Sequence, residues 1–89
     1  MSFLTKLETL IQAAQRAEVL YQNSQGIISE RKVSPKALCY TLEEGWQLIA
    51  YCHKREAERN FRLSRIKEVQ ALDEFFPPPS AVLYRYFKA

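Results

Sequence analysis

Arg59, Arg62 and Arg65, the lone His53, and Cys39 and Cys52 are the side chains of this 89-residue chain with most chemistry to offer. A guanidinium presents a planar fork of N–H donors that fits a phosphate two bonds at a time. Arginines repeated at 59, 62 and 65 therefore suggest binding of a phosphate-bearing ligand. From His53 to Lys67 six basic residues face two acidic ones, a net of +4, while the whole chain carries only +3. The remainder is thus slightly negative, and the whole positive excess sits in one segment. Cys52 and His53 would make a nucleophile pair only if they shared a face, and neighbours on a strand point to opposite faces. One histidine and two isolated cysteines are too few for a zinc site. With no glycine-rich phosphate loop and no acid-supported nucleophile, the residues predict a binding module rather than an enzyme, with no cofactor and no metal.

The elements that must carry these residues read as follows. Trp46, Leu48, Ala50 and Cys52 alternate with Gln47, Ile49, Tyr51 and His53, the period of a strand with one apolar face. Trp46 reads as core or rim and both cysteines as small core residues. A charged break over Lys54–Glu58 looks like a hairpin turn, and a second strand follows over Asn60–Ser64. Arg59, Arg62 and Arg65 cannot all point one way from a regular strand, so a bend after Leu63 is needed to bring Arg65 beside Arg59. Upstream, Leu4, Leu7, Ile11 and Ala14 recur at helical spacing, and Thr5 with Glu8 forms a capping box, which predicts a helix over 5–17. Strands are expected at 18–22, 27–33, 36–42 and 66–72, with Asn23–Gly26 and Glu43–Gly45 as turns and Pro35 as a bulge or break. One helix and five short strands predict a mainly β fold, a small closed or nearly closed barrel over residues 1–76. Pro77, Pro78 and Pro79 then read as a stiff spacer, and Ser80 as the N-cap of a short helix over 81–87. Residues 77–89 form an apolar C-terminal tail.

Composition excludes several classes. At 47% hydrophobic and 26% charged the chain matches a folded soluble domain. No apolar run is long enough to span a bilayer, so no membrane partner is expected. The first residues carry Glu8 and lack the layout of an export signal, which predicts a cytoplasmic protein with reduced thiols.

The run Trp46, Leu48, Ala50, Tyr51, Cys52, His53, then Arg59, Phe61-Arg62-Leu63 and Arg65-Ile66, resembles the WYL domain family. Tyr21, Ser24, Gly26, Arg31, Val33, Pro35 and Leu38 fit the same pattern, which covers roughly residues 7–76. Two positions depart from it: Gln47 stands at the name-giving tyrosine, and Ser64 where an acidic residue is frequent. The resemblance implies a Sm-like or SH3-like barrel found mainly in bacterial transcription regulators. It also implies a basic pocket for single-stranded nucleic acid or a nucleotide-like effector. In that pocket Arg31, Arg59 and Arg65 would hold phosphates, Tyr21, Ser24 and His53 would add polar contacts, and Arg62 and Lys54 would lie at the rim. Tyr21 and His53 also have structural readings, in the barrel wall and in solvent. A second reading of the whole chain is an interaction module that assembles through a barrel edge or the aromatic tail. The tail would pack on its own barrel, exchange with a second copy in a homodimer, or meet a covalent neighbour domain.

Overall fold

The computed structural model describes residues 3–76 and the backbone of 85–88. One helix, α1 (Phe3–Ala13), precedes five strands: β1 (Gln15–Gln22), β2 (Ile28–Thr41), β3 (Gly45–Cys52), β4 (Ala57–Arg62) and β5 (Ile66–Phe75). A 3-10 turn at Leu63–Arg65 joins β4 to β5, and a short strand, β6 (Arg85–Lys88), follows. The class is mainly β with an N-terminal helix, as the pattern predicts.

The strands pair antiparallel in the order β4-β3-β2-β1-β5, so β4 and β5 lie at the two ends of the sheet and the expected barrel closure is not made. Instead α1 packs beside β5. Lys6 Nζ donates to the Val69 carbonyl at 2.6 Å and Gln15 Nε2 to that of Leu72 at 2.8 Å, so side chains take β5 carbonyls that a further strand would need.

Strand β2 is long because its proline is accommodated. The register with β3 shifts between Pro35 and Ala37, a bulge that absorbs the missing amide donor without ending the strand. The hairpins follow from local chemistry. Gly26 and Gly45 have φ of +83° and +72°, the left-handed region that glycine adopts without penalty. The Asn23 side-chain oxygen accepts from the amides of Gln25 and Ile27 and fixes the first turn.

Three sequence expectations need correction. The helix occupies 3–13 rather than 5–17, so Thr5 lies inside it and cannot cap it. Ala14, at φ +54°, turns the chain out of the helix, and alanine gives no sequence signal for that conformation. The helix expected over 81–87 is overturned where it is described, because Arg85–Lys88 is a strand parallel to β2. The proline spacer and the Ser80 cap lie outside the described residues.

Leu7, Leu10 and Ile11 of α1 meet Ala17, Val19, Val33, Leu38, Leu48, Ala50, Cys52, Phe61, Ile66 and Val69 in one core, with Trp46 half-buried at its margin. Each large aliphatic side chain taken fully from water contributes about 1.5–3 kcal/mol. Leu38 is completely buried and Leu42, at the β2–β3 turn, is 75% exposed. Leu38→Ala is therefore expected to lower unfolding free energy by about 2–5 kcal/mol, and Leu42→Ala to change it by less than about 0.5 kcal/mol. Urea denaturation followed by circular dichroism checks both.

Candidate nucleic-acid interface

The core-facing lane of each strand changes from apolar to polar at the same end of the sheet. In β1 it runs Ala17, Val19, then Tyr21; in β2, read backwards, Val33 then Arg31; in β4, Phe61 then Arg59. The register places Arg31 opposite Val19 and Arg59 opposite Ala50, so strand parity turns both arginines to the inner face. The 3-10 turn supplies the bend needed after Leu63 and brings Arg65 alongside. The β3–β4 turn contributes Arg55 from the other side. The result is an open concavity of about 210 Å³ lined by Arg31, Arg55, Arg59 and Arg65, with Tyr21, Asn23, Ser24, Asn60 and Phe61.

Among the described residues no carboxylate lines it. Glu58, next to Arg59 in sequence, pairs with Lys36 at 3.1 Å, and Glu30, next to Arg31, lines a different concavity. Among the described residues none of the four lining arginines forms an ion pair. Arg31 is held by its own strand, with Nε donating to Ser29 Oγ at 3.0 Å, while its outer nitrogen lies over buried Cys52. The Tyr21 ring meets Phe61 edge to face at 5.0 Å. Its hydroxyl oxygen accepts from the Arg62 backbone N–H at 3.2 Å, which leaves the hydroxyl proton free to donate into the concavity. A second, smaller concavity has the opposite sign: Glu18, Glu30 and Glu68 line it on the outer face of β1, β2 and β5. A molecule of modest net charge is thus divided into a basic and an acidic side.

Of the residues singled out from sequence, Tyr21, Ser24, Arg31, Arg59 and Arg65 come together here. Arg62 and His53 do not line the concavity. Arg62 is registered with Gln47 on the outer face and is paired with Glu44. Lys54 is exposed in the turn and is not among the lining residues either. Sequence reasoning missed Arg55, Asn23 and Asn60. Arg55 could have been found from its position, because a tight β3–β4 turn returns it toward Arg59.

His53 belongs to a separate polar cluster. Its Nε2 lies 2.9 Å from Ser34 Oγ, which also accepts from Arg16 Nε at 3.3 Å. Glu74 in turn binds Lys32 at 2.6 Å and Arg16 at 3.4 Å. The His53 amide donates to the Lys32 carbonyl, and its ring stands edge-on to Tyr51. These contacts tie β1, β2, the end of β3 and β5 together. Ser34 is only 6% exposed and its oxygen already serves Arg16, so the serine–histidine contact is a structural tie and not an accessible nucleophile. Among the described residues no three His, Cys, Asp or Glu side chains gather to hold a metal, and no helix is long and apolar enough to cross a membrane.

Comparison with known proteins agrees with this architecture. Residues 2–71 match the model of the WYL domain. The chain belongs to the WYL domain family. Over 53 residues, 56% of the chain, it is 47% identical to the DNA-binding transcriptional repressor CapW of Pseudomonas aeruginosa. Among solved structures, proteasome accessory factor B/C (PafBC) of Arthrobacter aurescens superposes with a TM-score of 0.75 at 28% identity over 82% of the chain. The chain spans 17% of the repressor's length and 11% of that of PafBC. Within this WYL domain the name-giving tyrosine position, Gln47, faces away from the basic concavity.

The polar cluster sets a pH dependence. Burial pushes the His53 pKa below its ordinary 6.5, Arg16 and Lys32 push the same way, and Glu74 opposes them. The folded state then binds fewer protons than the unfolded chain in the window between the lowered value and about 6.5, so stability rises with pH there. The contribution of neutral His53 is complete above about pH 6.5. It is lost as pH falls from there through the folded value. The hydrogen bond from Lys32 holds the Glu74 pKa below its ordinary 4.5, so its contribution is lost in a lower window. His53 is the chain's single histidine. Its ring resonances should therefore titrate, without assignment, at a midpoint below 6.5, and thermal stability should decline over the same range.

Proposed function

We propose that this WYL domain is a regulatory ligand-binding module whose basic concavity takes single-stranded nucleic acid or a nucleotide-like effector, without catalysing a reaction. The carrying observation is the set of four arginines in one concavity with no carboxylate partner among the described residues. Clustered like charges cost free energy unless a counter-charge arrives, and phosphates supply it together with the bidentate geometry that arginine favours. The shape supports a flexible strand. A duplex carries its phosphates on a convex, rigid surface, whereas a single strand can bend its backbone into a small recess and leave its bases splayed. Tyr21 adds a hydroxyl donor and Ser24 a second polar contact at the turn.

Kinship supports a regulatory role: one relative is a DNA-binding transcriptional repressor, and the present chain corresponds to a small part of it. In this reading the domain senses a ligand on behalf of attached modules, in a cytoplasm where Cys39 and Cys52 stay reduced. The alternative, a module for protein assembly with the basic face merely solvated, is favoured by one observation, the pairing of β6 along β2. Salt dependence separates the two, because only phosphate contacts release counterions.

Fluorescence anisotropy with labelled single-stranded DNA and RNA at several salt concentrations is the test. Arg59→Ala and Arg65→Ala should each weaken binding and reduce the slope of log K against log salt by about 0.7. Arg62→Ala, which removes a charge paired on the outer face, should leave that slope unchanged. Absence of binding by the unsubstituted chain at low salt would reject the reading, and equal losses in all three variants would reject the concavity as the place.

A further inference from the structure

Strand β4 forms one wall of the basic concavity and has a strand partner on one edge only. It pairs with β3 from Ala57 to Arg62, and the seam toward β5 is open. In an antiparallel pair the backbone groups of successive residues turn alternately toward the partner and away from it. The Arg62 N–H shows which residues turn away, because it donates across the seam to the Tyr21 hydroxyl at 3.2 Å rather than into the β3 ladder. Parity then points the N–H and C=O of Asn60 and of Glu58 to the same free edge.

Asn60 lines the concavity, yet its side chain is committed elsewhere. It stands opposite Ile49 on the outer face, and Nδ2 donates to Gln47 Oε1 at 3.2 Å. What Asn60 turns to the concavity is therefore its backbone, one donor and one acceptor side by side on an extended chain. The residue is exposed, and among the described residues no group takes up either.

An edge of this kind can take an extended peptide, but a peptide strand needs a row of such pairs. Here the row stops on one side, where Tyr21 holds the Arg62 N–H, and on the other Glu58 is not among the lining residues. A single donor–acceptor pair matches instead the Watson–Crick edge of a nucleobase. Every base carries an adjacent donor and acceptor there, as N3–H and O4 do in thymine. Arg59 is the preceding residue and stands on the inner face, so a phosphate on its guanidinium and a base on the Asn60 backbone belong to one short stretch of nucleic acid.

We infer that the Asn60 backbone is the base-reading element of this site: its N–H donates to the base and its C=O accepts from it. Because every base offers the pair, the contact separates a nucleic-acid strand from a bare polyanion and tolerates any sequence. This rests on the proposed binding of single-stranded nucleic acid and names the part of that ligand, beyond its phosphates, that the concavity recognises.

Labelled oligothymidylate and its N3-methylthymidine counterpart test it by fluorescence anisotropy at low salt. Methylation removes the base donor and leaves the backbone charge and the ring face in place. The methylated strand should bind about tenfold more weakly, the scale of two hydrogen bonds. Asn60→Pro removes the N–H from the free edge, where a proline takes no bond from the β3 ladder. It should weaken oligothymidylate by a similar factor, bind both strands alike and keep the salt slope of the unsubstituted chain. Asn60→Ala, which loses only the bond to Gln47, should still discriminate between the strands. The unsubstituted chain gives a reading that needs no variant: hydrogen exchange at the Asn60 amide should be fast, slow when oligothymidylate binds, and stay fast with the methylated strand. Equal affinity of the two strands, undiminished discrimination by Asn60→Pro, or an Asn60 amide unaltered by oligothymidylate overturns the inference while phosphate binding in the concavity stands. Failure of both strands to bind at low salt overturns the proposed function and this inference together. Competition by oligoglutamate that Asn60→Pro abolishes would assign the edge to a peptide and overturn the inference as well.

Discussion

Everything in this fold hangs on the two ladders of β2. It meets β1 with its first part and β3 with its second, and the two ladders overlap at Val33, two residues before Pro35, where the backbone has no amide to donate. A regular strand of 14 residues would commit both edges along its length. Here β1 leaves one edge at Val33, because the chain before it turns away at Ala14, while β3 continues along the other across the bulge before Ala37. Two consequences follow from that single displacement. At one end the inner lanes of β1, β2 and β4 finish together and form the basic concavity. At the other, β2 has an edge to spare, which β6 takes.

Crowding four guanidinium groups works against folding, and the framework beneath them shows how this is borne. Arg31 and Arg59 each continue a lane whose neighbouring inward residue is deeply buried, Val33 and Phe61 respectively. The Tyr21 ring braces Phe61, and its hydroxyl receives the amide at which the chain enters the 3-10 turn carrying Arg65. The apolar core thus fixes the backbone from which the charges project, and the charges remain in contact with water. Recruiting the nearby acids would lessen the repulsion, but it would also neutralise the site. Strand parity sends Glu58 to the outer face, where Lys36 meets it, and Glu44, in the β2–β3 turn, pairs with Arg62.

Much of this was legible in the sequence where a local rule governs. The alternation from Trp46 to Cys52, the glycines at 26 and 45 and the proline at 35 fix strands, turns and bulge without reference to anything distant. The bend that sets Arg65 beside Arg59 was also readable, because three arginines at that spacing cannot share one strand face. What escaped depends on long-range geometry. Ala14 leaves the helix in a conformation for which its side chain offers no cue. His53 joins Ser34, Arg16 and the Glu74 ion pairs from three different strands, so no sequence window contains the cluster. Arg62 was grouped with the pocket by charge alone; its parity in β4, fixed only once the register with Gln47 is known, sends it outward. The open seam between β4 and β5 likewise depends on Lys6 of α1 and Gln15 at the start of β1 reaching carbonyls some sixty residues away, and strand count alone suggests closure.

Gln47 illustrates how a departure from the family pattern can leave the site untouched. It lies on the outer face, 4% exposed, and both ends of its amide are engaged: Nε2 donates to Thr41 Oγ1 at 3.3 Å and Oε1 accepts from Asn60 Nδ2 at 3.2 Å. A buried primary amide is tolerated only when so satisfied, since an unpaired group there costs about 1–3 kcal/mol. The bonds it makes join the end of β2, the middle of β3 and the edge strand β4. A phenol at the same position would have to meet both partners with one oxygen, where the amide offers a separate donor and acceptor. The glutamine is therefore matched to its own neighbours, Thr41 and Asn60, and holds β4 to the sheet. Its influence on ligand binding runs through the position of that strand, which carries Arg59, and through its partner Asn60, which lines the concavity.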